Sequence, residues 1–120
     1  MAQRSKYLFI ASMDVDAAKE ALFHEVYDVE HCPRLGNVAG VGEIVRFEAQ
    51  PFEVLIGGET RAVNLDGQPR FHAMYEIESP EVLTSTAWAD AVDSGRWPEQ
   101  VRPYTSNRRH TLLRLSNPQS

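Results

Sequence analysis

The sequence predicts an α+β domain whose strands and helices follow one another in the order βαββαβ. Four segments show the apolar runs or two-residue alternation of strands, one longer segment repeats apolar residues every three or four positions, as helices do, and a second begins with residues that favour a helix start. A chain of 120 residues has the size of one domain with one core, so we expect residues 1–120 to form a single domain. This split order indicates a ferredoxin-like fold, a four-stranded antiparallel sheet with helices on one face.

The first strand and helix are predicted over residues 6–31. Residues 6–13 are rich in aromatic and branched side chains and contain no glycine or proline, which is typical of a buried strand. Asp14 and Asp16 can cap a helix that we expect to run from Ala17 to His31. The helix is expected to end there, because Pro33 has no N–H and interrupts regular helical hydrogen bonding.

Three further strands and a second helix complete the order. Alternating segments predict strands at 43–49, 70–78 and 107–115. Between the last two, a serine, a proline and a glutamate open a helix that is expected to span 79–93. A further short helical segment is expected at 97–102.

Residues 51–68 form the irregular part of the pattern. They contain a short apolar run followed by two glycines, which fits either an ordered loop or a small hairpin. About eighteen residues is long for a connection in a small domain. The segment is therefore either a functional lid or a surface insertion.

The predicted sheet has apolar side chains on both of its faces. Helices cover only one face in this fold, and a domain of this size has no second layer for the other. We therefore expect the chain to form a homodimer through the uncovered face.

The charge, cysteine content and hydropathy of the chain argue against several classes of protein. The net charge of −5 and the pI of about 5.3 argue against a nucleic-acid partner. The basic run Arg108-Arg109-His110 is interpreted as a solvated strand end. Cys32 is the single cysteine, so no disulfide can form within the chain. With neither a signal-like start nor an apolar span of about 18 residues, we expect a cytoplasmic protein with no membrane partner.

The densest group of chemistry-bearing side chains lies at the end of the first predicted helix. His24, Asp28 and His31 are spaced to share one helical stripe, and Tyr27 flanks it. Asp28 is expected to hold one imidazole nitrogen of His31, which would make His31 a general base. The alternative interpretation is a solvated stripe, with a histidine favoured near a helix C-terminus by the helix dipole.

Other residues are candidates for substrate binding or for a metal site. His72 lies in the third strand and is expected to face a pocket or a dimer seam, whereas Tyr75 lies on the opposite face. Trp88 and Trp97 can wall an apolar cavity or belong to the core. A metal could be bound by His24, Asp28 and His31 together with His72 or His110. Because the sequence has no HExxH or CxxC pair, we expect no metal site.

Several stretches resemble the EthD-like group of dimeric α+β barrel proteins. Residues 23–35, FHEVYDVEHCPRL, are similar to that group's F-x-x-W-Y-D-x-E-H-x-P-x-L. Residues 38–41 are similar to its V-P-G-V turn, and the similarity continues through 75–83 and 85–88. The residues that match its motif are Tyr27, Asp28, Glu30, His31 and Pro33, whereas Val26 stands where the group usually has tryptophan.

The resemblance implies a dimeric α+β barrel of the wider superfamily that includes antibiotic-biosynthesis monooxygenases, cyclases, isomerases and decarboxylases. It also implies a pocket between sheet and helices and chemistry that needs no cofactor. In this setting His31, Asp28 and Tyr27 are the expected catalytic residues. Substrate contacts are expected from His24, Arg46, His72, Tyr75, Trp88 and Trp97, with Arg46 or Tyr27 stabilising an enolate or phenolate.

The leading hypothesis is an enzyme without cofactor that performs acid–base chemistry on a hydrophobic cyclic or polyketide-like small molecule. Cyclisation, isomerisation, decarboxylation and lyase reactions all start from such proton transfer. A cofactor-free monooxygenase acting on similar substrates is one alternative. A non-catalytic dimer that binds a small ligand or acts in a stress response is another, and a haem-binding variant is the least favoured.

Overall fold

A four-stranded antiparallel sheet forms the centre of the computed structural model, which describes residues 6–117. The strand order is β2-β5-β1-β6, and each neighbouring pair is antiparallel. The four strands are β1 (Tyr7–Val15), β2 (Val41–Glu48), β5 (Phe71–Ile77) and β6 (Thr105–Arg114). The helices pack on one face of this sheet, which confirms the predicted ferredoxin-like α+β fold.

The first helical run continues further than the sequence predicts. It comprises a 3-10 turn (Ala17–Lys19), α1 (Glu20–Val26), a first π turn (Tyr27–His31) and α2 (Cys32–Gly36). The expected end at His31 is wrong, because the first π turn closes with a bond from the Cys32 N–H to the Tyr27 carbonyl. This wider turn places Pro33 in the first turn of α2, where a proline needs no hydrogen-bond donor.

The second helical connection is broken into short pieces. A 3-10 turn (Pro80–Thr84) precedes α3 (Thr86–Val92), and a second π turn (Trp97–Val101) leads into a last 3-10 turn (Arg102–Tyr104). The expected continuous helix over 79–93 is wrong. Ser85 has extended backbone angles, and its Oγ caps α3 by accepting the Trp88 N–H at 3.1 Å.

Residues 51–68 contain a two-stranded hairpin that forms a sheet of its own. Its strands are β3 (Phe52–Ile56) and β4 (Glu59–Val63), joined at Gly57 and Gly58, which both have positive φ. Most of its side chains are exposed. The radius of gyration of 16.2 Å exceeds the roughly 14 Å expected for a compact chain of this length, consistent with a projecting arm.

The two faces of the main sheet differ in burial. Along β5, Phe71, Ala73, Tyr75 and Ile77 are buried beneath the helices, as the alternation predicts. In the described part of the chain no helix packs on the opposite face, and we call it the open face. Within residues 6–117 no helix is long and apolar enough to cross a membrane. The expected cytoplasmic location and the single-domain assignment stay predictions.

Candidate active site

A cavity of about 100 Å³ lies between the helix-covered face of the sheet and the helices. Its walls come from β1, β5 and β6 on one side and from the two helical connections on the other. The walls are mainly apolar and aromatic, with a few polar groups, which is the usual composition of a small-molecule site. The lining residues are Phe9, Ala11, Met13, Tyr27, His31, Leu35, Tyr75, Trp88, Val92, Trp97, Arg108 and His110.

His31 is the most unusual polar group in this cavity. It lies at the end of the first π turn, is 6% exposed, and stacks on Trp97 with ring centroids 4.5 Å apart. Its Nδ1 is buried and has no hydrogen-bond partner among residues 6–117. Burial, reinforced by the charges of Arg102 and Arg34, lowers the pKa of His31 to about 4. The imidazole is therefore neutral at pH 7, with an unused acceptor when the proton is on Nε2.

Two tyrosine hydroxyls form a hydrogen-bonded pair beside His31. The hydroxyls of Tyr27 and Tyr75 interact with each other, and burial raises the pKa of Tyr27 to about 12 and that of Tyr75 well above its usual value. Both groups therefore stay protonated at neutral pH. A protonated phenol can donate a hydrogen bond to a ligand. The Tyr27 and His31 rings meet edge to face, with centroids 5.1 Å apart.

The opposite wall is built from aromatic rings around Phe9. Trp88 meets Phe9 edge to face at a centroid distance of 5.8 Å, and His110 stacks on Phe9 at 5.7 Å. Partial burial and the neighbouring charge of Arg108 lower the pKa of His110. The wall therefore offers flat surfaces to a ligand ring.

The expected pairing of Asp28 with His31 is wrong. Asp28 is largely exposed, and its Oδ1 accepts a hydrogen bond from Arg46 Nη1 at 2.7 Å. A guanidinium is a stronger partner for a carboxylate than a neutral imidazole is. The wider backbone of the first π turn also departs from the α-helical spacing on which that expectation rested.

Three other predicted residues lie outside the cavity. Arg46 is held by Asp28 and by His24, whose Nδ1 accepts from Arg46 Nη2 at 2.7 Å. The Arg46 guanidinium lies 4.8 Å from the Tyr27 ring centroid but does not line the cavity. His72 faces the open side of the sheet, where its Nδ1 and Ser12 Oγ are 2.7 Å apart.

Five predicted residues line this cavity together: Tyr27, His31, Tyr75, Trp88 and Trp97. The other four do not line it, although Arg46 lies against the Tyr27 ring: Asp28, His24, Arg46 and His72. Sequence reasoning missed Phe9, Arg108 and His110 as cavity residues. Strand alternation could have found the last two, since Arg108 and His110 share one face of β6 and register places His110 beside Ala11. Among residues 6–117, no three side chains of the metal-ligating types converge, so the alternative metal cluster does not form there.

The fold of this chain also occurs among solved structures. No family model matches the chain, and no curated protein matches it. Among solved structures, the chain is similar to a point mutant of MhuD described as having two manganese protoporphyrin IX molecules bound per active site. The two are 13% identical, with a TM-score of 0.61 over 95% of this chain and 98% of that chain. The likeness shows a shared ferredoxin-like α+β fold, whereas the narrower EthD-like assignment stays a prediction.

Proposed function

We propose that this protein is a cofactor-independent enzyme that moves a proton on a small, flat, cyclic molecule bound in the cavity. The observation that carries this proposal is at His31, which lines the cavity and whose buried Nδ1 has no hydrogen-bond partner among residues 6–117. A buried polar atom without a partner costs about 1–3 kcal/mol, and a ligand that donates a hydrogen bond to it would remove that cost.

The chemistry follows from the protonation states. Neutral His31 can take the proton of an acidic O–H, or of a C–H next to a carbonyl, and the electron pair left behind forms a phenolate or enolate. The Tyr27 hydroxyl is positioned in the same cavity to donate a hydrogen bond to that developing oxyanion. Since the pKa of His31 is about 4, the substrate proton must itself be fairly acidic.

The size of the cavity points to a small substrate. Its enclosed volume of about 100 Å³ is less than the roughly 150 Å³ of a protein cavity that binds benzene and far below the ~300–1,000 Å³ of sites for drug-sized ligands, so a one-ring compound would fill it and extend through its open side. A porphyrin, the ligand named for the MhuD structure, is far larger than this enclosed space, and no porphyrin-dependent step is proposed for this chain.

The test of the proposed chemistry is proton exchange on 2-acetylcyclohexanone in D₂O, followed by proton NMR. The wild-type protein should accelerate exchange of the hydrogen between the two carbonyls, which is far more acidic than that of a simple ketone and so suits a weakly basic imidazole. His31→Phe keeps a flat ring against Trp97 but cannot accept a proton, and it should lose at least about a hundredfold of the acceleration. His24→Phe changes a histidine outside the cavity and should retain the activity. Equal rates for wild type and His31→Phe would contradict the proposal.

Two outcomes distinguish the alternative functions. A cofactor-free monooxygenase starts from the same deprotonated substrate but then consumes oxygen, so oxygen uptake with a phenolic substrate would favour it. A non-catalytic binding protein would bind ring compounds and leave the exchange rate unchanged.

We also propose that the chain forms a homodimer through the open face. This face exposes apolar side chains, among them Phe47 at 54% and Leu113 at 46%, and the projecting hairpin adds Phe52 and Leu55. Exposed apolar patches of this kind on a small protein are typical of interaction surfaces. A second copy packed face to face would complete a dimeric α+β barrel.

A further inference from the structure

The strand that closes one side of the cavity is irregular beside the cavity mouth. Register between β1 and β6 shifts between Ser12 and Asp14, and Asn107 has a φ of 51°, which is unusual for a residue other than glycine. Asn107 Nδ2 donates to Asp14 Oδ2 at 3.1 Å and to the Gly67 carbonyl at 3.3 Å. Bulges of this type redirect side chains and are frequent next to binding sites.

The residues on either side of Arg108 form side-chain hydrogen bonds to a neighbouring loop, whereas Arg108 does not. Arg109 Nη2 donates to the same Gly67 carbonyl at 3.0 Å, so Asn107 and Arg109 both bond to one loop. Arg108 points the other way, with His110, and lines the cavity. Among residues 6–117 it forms no ion pair or side-chain hydrogen bond, whereas Arg46, Arg70 and Arg96 each bind at least one carboxylate.

We propose that Arg108 is the anion-binding residue of the cavity and that the substrate is a small aromatic carboxylic acid. The inference rests on the proposed function and adds a substrate class to it. The carboxylate would take both terminal N–H groups of the guanidinium at the mouth, and the ring would lie among Phe9, Trp88 and Trp97. The end far from the carboxylate would donate a hydrogen bond to His31.

The composition of the cavity favours a carboxylate over a more highly charged anion. Arg108 is the one arginine or lysine among the lining residues that the structure describes, and the two lining histidines have lowered pKa values. One planar guanidinium matches one planar monoanion in bidentate geometry.

Isothermal titration calorimetry with p-hydroxybenzoate and p-hydroxybenzamide at pH 7.5 tests this inference. The two probes have nearly the same shape, but only the first carries a negative charge. Wild-type protein should bind the benzoate at least about tenfold more tightly than the benzamide. Arg108→Gln should bring the two affinities to within about twofold. Arg114→Gln removes the same charge from the far end of the same strand and should keep the preference.

Each other result overturns the inference. One such result is equal binding of the two probes by the wild type, and another is a preference for the benzoate that persists in Arg108→Gln. Either result would show that Arg108 does not bind the carboxylate. Absence of binding by both probes would exclude small aromatic acids as the substrate class. A comparison of p-hydroxybenzoate with benzoate in wild type and His31→Phe reports separately on the role proposed for His31.

Discussion

At the scale of single residues, His31 is an imidazole kept neutral by its surroundings. Burial and two nearby guanidinium groups act in the same direction on its pKa. Stacking on Trp97 covers one face of the ring, and Nδ1 has no partner among residues 6–117. Such an unmet acceptor is costly in a core, which is why we interpret it as part of a ligand site and not of the packing.

The lowered pKa of His31 predicts a specific dependence of stability on pH. Above pH 6.5 the histidine is neutral in both the folded and the unfolded chain. Between pH 6.5 and about 4 the unfolded chain binds a proton that the folded chain does not, so the free energy of unfolding falls as the pH falls. The fall should total roughly 3 kcal/mol, at about 1.4 kcal/mol per pH unit, and should level off below pH 4.

Urea denaturation at a series of pH values measures this effect. His31→Phe and His31→Gln cannot titrate, so both should lose the part of the acid sensitivity that comes from this position. Because phenylalanine and glutamine differ in polarity, an effect shared by both variants cannot come from a packing defect specific to one of them. The same pH profile in wild type and both variants would show that His31 is not buried as a neutral group.

The sequence allows part of the site to be predicted. Tyr27 and His31 follow from the cluster of aromatic and polar side chains around a helix end, since local spacing predicts local neighbours. Trp97 follows only from its residue type, as an aromatic side chain that can wall an apolar cavity. The partner of Asp28 was not predictable in this way, since Arg46 comes from a strand eighteen residues further along the chain. Arg108 was interpreted as a solvated strand end, because only tertiary structure shows which strand face meets the helices.

At the scale of elements, the two π turns hold the cavity together. Glu30 lies in the first, and its carboxylate accepts from the Arg96 backbone N–H at 3.0 Å and from Arg96 Nε. Arg96 directly precedes Trp97 in the second π turn, and Arg34 approaches the same carboxylate at 3.6 Å. This clamp fixes the stacking of His31 on Trp97. The order of strands and helices was predictable from local patterns. The helix ends were not, because the π turns depend on contacts between segments that are far apart in the sequence.

Gly95 is the position where this clamp is most easily disturbed. Its φ of 68° disfavours other residues, and a Cβ there would collide with the Arg34 guanidinium and the Glu30 carboxylate. Gly95→Ala should therefore lower the free energy of unfolding by about 2–4 kcal/mol. Gly67 is a matched control, with a φ of 72° and nothing within 4 Å of an added Cβ, and Gly67→Ala should cost only about 1–2 kcal/mol.

Chemical denaturation of the two glycine variants separates backbone strain from the collision. If Gly95→Ala lowers the free energy of unfolding no more than Gly67→Ala does, the Arg34 and Glu30 side chains can move aside without a measurable loss of stability. The clamp would then have no role in positioning Trp97.

At the scale of the whole molecule, apolar surface remains uncovered. The chain measures 50 × 46 × 23 Å, a flat shape in which the sheet has helices on one side only. The alternation of apolar residues predicted this two-faced sheet, and the structure confirms it. The hairpin was ambiguous in the sequence, because a short apolar run followed by two glycines suits a loop as well as two paired strands.

The proposed homodimer predicts that a charge on the open face separates the subunits. Wild-type protein should sediment as a dimer at micromolar concentration. Phe47→Asp places a carboxylate on the open face, on the edge strand β2, and should shift the protein to a monomer. Val29→Asp makes the same type of change at an exposed residue on the helical side and should leave the dimer intact. A monomeric wild type, or a dimer insensitive to Phe47→Asp, would contradict this arrangement.

A ligand in the cavity is expected to donate a hydrogen bond to His31 Nδ1. The most direct measurement is nitrogen NMR of protein labelled with ¹⁵N-histidine, titrated with p-cresol and, in parallel, with toluene; the His31 signals are assigned by their absence from His31→Phe. Binding of p-cresol should shift the His31 Nδ1 resonance towards a hydrogen-bonded acceptor and leave His24 unchanged, whereas toluene should produce no such shift. An Nδ1 resonance that does not move at saturating p-cresol would contradict the proposed role of His31.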